Sequence, residues 1–286
     1  FNLVGWQRLK VSASLEHDIL DNYKRAEFSD YASYLAYMRS VLGAVFRNAQ
    51  ATTRKAQFTP LATLSSGYDS NAIAAMARPV GCEEGVTFTR ARGGRGEDDD
   101  SGKAVGDALG MKVIEAERLA YLGFDDMPEI YTNGLGSEMS SIRDLLPGRI
   151  VLSGYMGDSV WEKHLPSLRT DVAWALMAGH NQNELRLETG FINLPAPFIA
   201  VRQLPEINRI SNLAEMAPWT LDKPYDRPIC RRVLEEAGVP SDAFGQEKKA
   251  TGVYYLLEGL DKTMTPQSYR SFMDYVGRIW TPSMAL

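Results

Sequence analysis

The chain has 286 residues, 44% hydrophobic and 23% charged, the balance of an ordinary globular protein with one large domain or two small ones. Its 31 basic and 36 acidic residues leave a formal charge of −5, which argues against a general nucleic-acid binder. Two distant cysteines with no CxxC argue against structural zinc or iron–sulfur centres, and no apolar run approaches the ~20 residues of a membrane span.

Residues 1–28 read as a lead-in segment with weak periodicity. Ser29-Asp30 then offers an N-cap, and Tyr31, Tyr34, Leu35, Met38, Val41, Leu42, Val45 and Phe46 recur at helical spacing. Pro60–Leu64 is a short apolar run ending in Ser-Ser-Gly, the pattern of a buried parallel strand, and Asn71–Ala77 is helical by propensity. The alternation continues through a strand at Gly85–Thr89, a helix at Ser101–Leu109 opened by acidic residues and a strand at Lys112–Ala116. A helix within Leu135–Leu146 and a strand at Arg149–Leu152 complete it. This order predicts an α/β fold, a doubly wound parallel sheet of about five strands, occupying residues 29–165. Beyond about residue 165 the strand signal fades. Asp171–Ala178, Ile207–Met216, Arg227–Ala237, Val253–Leu260 and Gln267–Val276 read as helices, so residues 166–286 are expected to form a helical part. No signal peptide is visible, and the expected compartment is the cytoplasm. The first residue is Phe1 rather than Met, which leaves room for an upstream part.

The chemistry concentrates at strand ends. A strand, the turn Ser65-Ser66-Gly67-Tyr68-Asp69-Ser70 and a helix together form an anion site: helix-start amides face the ligand and serine hydroxyls add donors. Asp69 would repel a bare phosphate and makes sense beside a cation, for which Mg²⁺ is the natural choice. A second such turn, Ser153-Gly154, ends the strand at Arg149–Leu152, and ligands on doubly wound sheets sit at the carboxyl ends of strands. The acidic run Glu97–Asp100 is a further candidate that also reads as an acidic helix N-terminus favourable to the dipole, and the loop arginines Arg90, Arg92 and Arg95 could touch phosphates or substrate but read mostly as a solvated charge run. His17, His164 and His180 show no metal spacing.

The segment Leu64-Ser65-Ser66-Gly67-Tyr68-Asp69-Ser70 resembles the LSGGxDS pyrophosphate loop of the N-type ATP pyrophosphatases. Within them it is most similar to the synthetase domain of asparagine synthetase and its relatives, β-lactam synthetase and lasso-peptide cyclases. Asp98 followed by Lys103–Gly110 resembles that family's second motif, Val151–Asp158 its VLSGxGGD, and Arg231 through Lys248-Lys249 its closing stretch. The resemblance implies an ATP and pyrophosphate site from Leu64 to Ser70 with Phe88 and Gly154, and Mg²⁺ held by Asp69 and Asp158. It further implies a carboxylate at Asp98 near the nucleotide or second substrate, and a catalytic lysine at Lys248 or Lys249. The implied activity is adenylation of a carboxylate with pyrophosphate release, then transfer of the acyl group to an amine. The implied partners are a small-molecule or peptide carboxylate, an amine, and a separate protein supplying ammonia or amine. No cysteine nucleophile precedes the first helix, so this chain by itself is not expected to hydrolyse glutamine. Several positions depart from the family pattern: Ser66 replaces a glycine, Ser159 a glutamate, and Gln246 or Glu247 an arginine. Two other readings stay open, a nucleobase- or tRNA-modifying ATP pyrophosphatase and a non-catalytic nucleotide- or partner-binding member.

Overall fold

The computed structural model describes residues 8–20, 26–89, 100–124, 137–168, 182–246 and 259–279. A two-stranded antiparallel hairpin, β1 (Arg8–Val11) and β2 (His17–Leu20), opens the described chain. Helix α1 (Tyr31–Ala49) begins where expected. The Asp30 side chain accepts the Ser33 N–H, and the Ser33 hydroxyl accepts the Asp30 N–H, a reciprocal cap.

Five parallel strands form one sheet in the order β5-β4-β3-β6-β7: β3 (Thr59–Leu64), β4 (Glu84–Phe88), β5 (Lys112–Ala116), β6 (Arg149–Ser153) and β7 (Ile192–Pro195). The fold is therefore the expected doubly wound α/β sheet with a helical C-terminal part. Alternation along the central strands builds two cores. Ala62, Leu64, Ile150 and Leu152 face α1, α2 (Asp69–Ala77), α6 (Leu204–Ser211) and α7 (Pro228–Glu236). Leu61, Val86, Phe88 and Val151 face Tyr121, Met139, Ile142 and Leu146. Central strands buried on both faces need continuous apolar runs, which is why β3 and β6 were legible as strands.

Several details differ from the sequence reading, the hairpin among them, and the helix expected over Ile207–Met216 is α6, which ends at Ser211, followed by a 3₁₀ stretch at Ala214–Trp219. The helix expected over Ser101–Leu109 is α3 (Lys103–Ala108), capped by Gly102 with no acid in its first turn. The acidic residue nearest it, Asp100, is buried instead. The stretch Ser137–Leu145 is a 3₁₀ helix with a break at Ile142 rather than an α-helix. And a fifth sheet strand, β7, lies in the part expected to be helical. The other described α-helices are α4 (Asp158–Trp161), α5 (Asn183–Thr189) and α8 (Pro266–Ile279). Among the described residues no helix is long and apolar enough to cross a membrane.

Candidate active site at the sheet switch point

Strand order reverses between β3 and β6: β3 leads to β4 and β5 on one side, β6 to β7 on the other. The crevice at such a switch point, outside the carboxyl ends of the strands, is where doubly wound sheets bind ligands. Both turns singled out in the sequence leave the sheet there, Ser65–Ser70 after β3 and Gly154–Asp158 after β6.

The two turns touch through glycine. A Cβ on Gly154 would lie under 3 Å from the Ser70 amide nitrogen and the Asp69 carbonyl carbon, and one on Gly157 would collide with the Asp69 side chain. Only glycine at both positions permits this approach. Between them Met156 holds a left-handed backbone at φ 63°, a conformation that costs a non-glycine residue of order 1–3 kcal/mol. Asp158 follows directly as the first residue of α4, so its backbone sits one residue from the contact with Asp69.

The first turn is strapped from several directions. The buried Asn71 accepts the Ser65 N–H at 3.2 Å and donates to the carbonyls of Ser65 and Gly67, both at 2.7 Å. The Gly67 N–H goes to the Ser65 hydroxyl. Ser66 donates its N–H and its hydroxyl to Asp100 Oδ1, at 3.3 and 2.8 Å. The amides of Ser65, Ser66 and Gly67 are thus occupied within the protein.

Tyr68 is not at the crevice. It is fully buried, its ring against Tyr225 and Phe244, and its hydroxyl accepts from Arg231 at 2.7 Å. Burial raises its pKa above the ordinary phenol value, against the opposing pull of Arg231. Leu64 and Phe88 are likewise buried; Phe88 carries the Arg118 guanidinium 4.8 Å above its ring. Of the expected nucleotide contacts, Ser65, Ser66, Gly67, Asp69 and Ser70 are partly exposed at the switch point, whereas Leu64, Tyr68 and Phe88 support from behind.

Asp69 is paired with Arg227, a residue that no local signal marked. The guanidinium is nearly fully buried at the start of α7, and also reaches Glu162 at 3.5 Å and lies 4.8 Å above the Tyr225 ring. Burial works against its charge, but Asp69 and its neighbours outweigh that and hold its pKa above the usual value. A second buried pair, Asp100 and Arg118 at 2.8 Å, stands behind Ser66.

The C-terminal part meets the first turn at Gly245, whose N–H donates to the Ser66 carbonyl at 2.8 Å. Gly245 has φ 64° and packs against the Tyr68 ring where a Cβ would clash. Lys248 and Lys249 follow in sequence; they and Asp98 lie outside the described residues, as do Arg90, Arg92, Arg95 and His180. His164 and His17 are exposed.

Asp69 and Asp158 offer the carboxylate oxygens that Mg²⁺ prefers, and that ion commonly takes only one or two protein carboxylates, completing its shell with water and phosphate. No group of three or more His, Cys, Asp or Glu suited to a metal is gathered among the described residues. No protein-family model matches the chain, and no curated protein matches it.

Proposed function

We propose that this chain is an ATP-dependent, AMP-forming ligase of the asparagine synthetase-like kind. It would adenylate a substrate carboxylate and pass the acyl group to an amine. The observation that carries this reading is the meeting of two strand-end turns at the switch point, one bearing Asp69 and the other, brought against it by Gly154 and Gly157, leading into Asp158. These turns carry the residues on which the resemblance to a pyrophosphate loop and its partner motif rests.

In this reading the phosphates lie at the N-terminus of α2, with the hydroxyls of Ser65 and Ser70 as donors. Asp69 and Asp158 would hold Mg²⁺, which would supply neutralising charge for the pyrophosphate. Arg227 fixes the Asp69 carboxylate and balances its charge before any ligand arrives. Lys248 or Lys249 supplies the remaining cation. A lysine is a compact point charge suited to a phosphoryl group in transit. The chain's work is positioning and charge stabilisation. Incubation with MgATP and a metabolite extract, followed by mass spectrometry for AMP and acyl-AMP adducts, tests the activity. Formation of both AMP and pyrophosphate is expected; release of neither with any extract would remove the ligase reading.

One second reading has an observation of its own. The Ser66 donors go to Asp100, and Asp69 goes to Arg227, so the turn is complete without a ligand. That favours a member that binds nucleotide without turning it over. Nucleotide binding without pyrophosphate release would select it.

A further inference from the structure

We infer that Asp100 is an internal anion latched onto the loop, and that a phosphate entering the site takes over the two Ser66 donors that Asp100 holds. The inference rests on the reading of this loop as a phosphate site. A single carboxylate oxygen, Asp100 Oδ1, accepts both the Ser66 N–H and the Ser66 hydroxyl. Each of those groups has one proton to give, and a phosphate oxygen seeks the same kind of donor. Ser66 therefore serves Asp100 or the ligand, not both.

The other donors and acceptors on the backbone of the turn are Asn71 and the Ser65 hydroxyl, within six residues of what they hold, and the distant Gly245 N–H, which donates only to the Ser66 carbonyl. Asp100 instead arrives from the start of the next crossover, placed there by the Gly102 N–H bonded to Thr87 at 2.8 Å. Its other oxygen, Oδ2, accepts from Arg118 at 2.8 Å, both side chains being at most 5% exposed. Release of Ser66 from Oδ1 leaves that ion pair in place. The exchange therefore strands no buried charge, which is the usual obstacle to moving a buried carboxylate. Ser66 occupies the position where the resembled loop has glycine. The extra hydroxyl is the group that makes the latch two-pronged.

The test is binding of inorganic pyrophosphate in the presence of Mg²⁺, measured calorimetrically for the unmodified protein, Ser66→Ala, Asp100→Asn and the double variant. Loss of the Asp100 charge should tighten binding about tenfold, because a competing anion beside the site has gone. Ser66→Ala alone should change affinity by less than about twofold, since its hydroxyl only exchanges one acceptor for another. In the Asp100→Asn background the same change should weaken binding by roughly fivefold or more, a non-additivity that a purely structural Asp100 would not produce. Should Asp100→Asn fail to fold with Arg118 left unpaired, Asp100→Asn/Arg118→Gln removes both charges and is examined for the same non-additivity with Ser66→Ala. Equal or weaker binding by Asp100→Asn, with additive effects, overturns the latch while leaving the phosphate site intact. Absence of pyrophosphate and ATP binding in the unmodified protein and in Asp100→Asn alike removes the phosphate reading itself, and the latch with it.

Discussion

The two turns at the switch point look alike in sequence and are built in opposite ways. The turn after β3 is held by hydrogen bonds: Asn71, Asp100 and Gly245 bond to its backbone, and Arg227 holds its carboxylate. The turn after β6 is held by shape. Gly154 and Gly157 press against Asp69, Met156 takes a left-handed backbone, and the turn's own bond runs from the Gly157 N–H to the Gly154 carbonyl at 3.0 Å. One turn presents side-chain charge in a fixed cradle, and the other supplies a close backbone wall with Asp158 at its end.

Neither turn contains a lysine, so the largest expected effect lies beyond both. Replacing the correct member of Lys248 and Lys249 by Ala should lower single-turnover pyrophosphate release by on the order of 10²–10³-fold with ATP affinity nearly unchanged. The other lysine should be nearly neutral, and Arg should rescue poorly because its planar fork differs from a point charge. Unmutated rates in both Ala variants would confine the chemistry to the two turns or to binding alone. Arg227→Met addresses the hydrogen-bonded turn. It leaves Asp69 without its guanidinium, and with Asp69 itself 21% exposed the loss of stability should be about 2–3 kcal/mol, read from the urea midpoint. An unchanged midpoint would mean that Arg227 is not what holds this turn. Gly154→Ala addresses the shaped turn: the new methyl meets backbone atoms rather than a yielding side chain, for a cost of about 1–3 kcal/mol. Thermal denaturation indistinguishable from the unmodified protein would show that the turns do not pack this closely.

What was legible in the sequence follows the same division between local and distant causes. The Asp30 cap of α1 and the apolar runs of β3 to β6 are local signals, and the structure places those elements where they were read. Strand β7 escaped because it is a four-residue edge strand ending in Pro195, with no buried residue to mark a face. The β1–β2 hairpin escaped because its described side chains are exposed and show no alternation of burial. At the site, Asp69 and Gly154 carry short-range motifs and were visible. Arg227 was not, since its partner lies 158 residues away in sequence. Asp100 was read as one of four acids solvating a helix start, whereas Ser66 and Arg118, 34 and 18 residues distant, give it a buried role. Tyr68 sits inside the motif yet faces the core, because α7 and Phe244 close over it from the C-terminal part.

The central claim is that the two turns form one MgATP site, and calorimetric titration of MgATP into the unmodified protein and Asp158→Asn tests it most directly. Asp158 is partly exposed at the end of the shaped turn, so the isosteric change should leave folding intact while removing one charge. The account predicts saturable binding that depends on Mg²⁺, weakened about tenfold or more in Asp158→Asn. Equal affinity in the two proteins, or no binding by the unmodified chain, would contradict it.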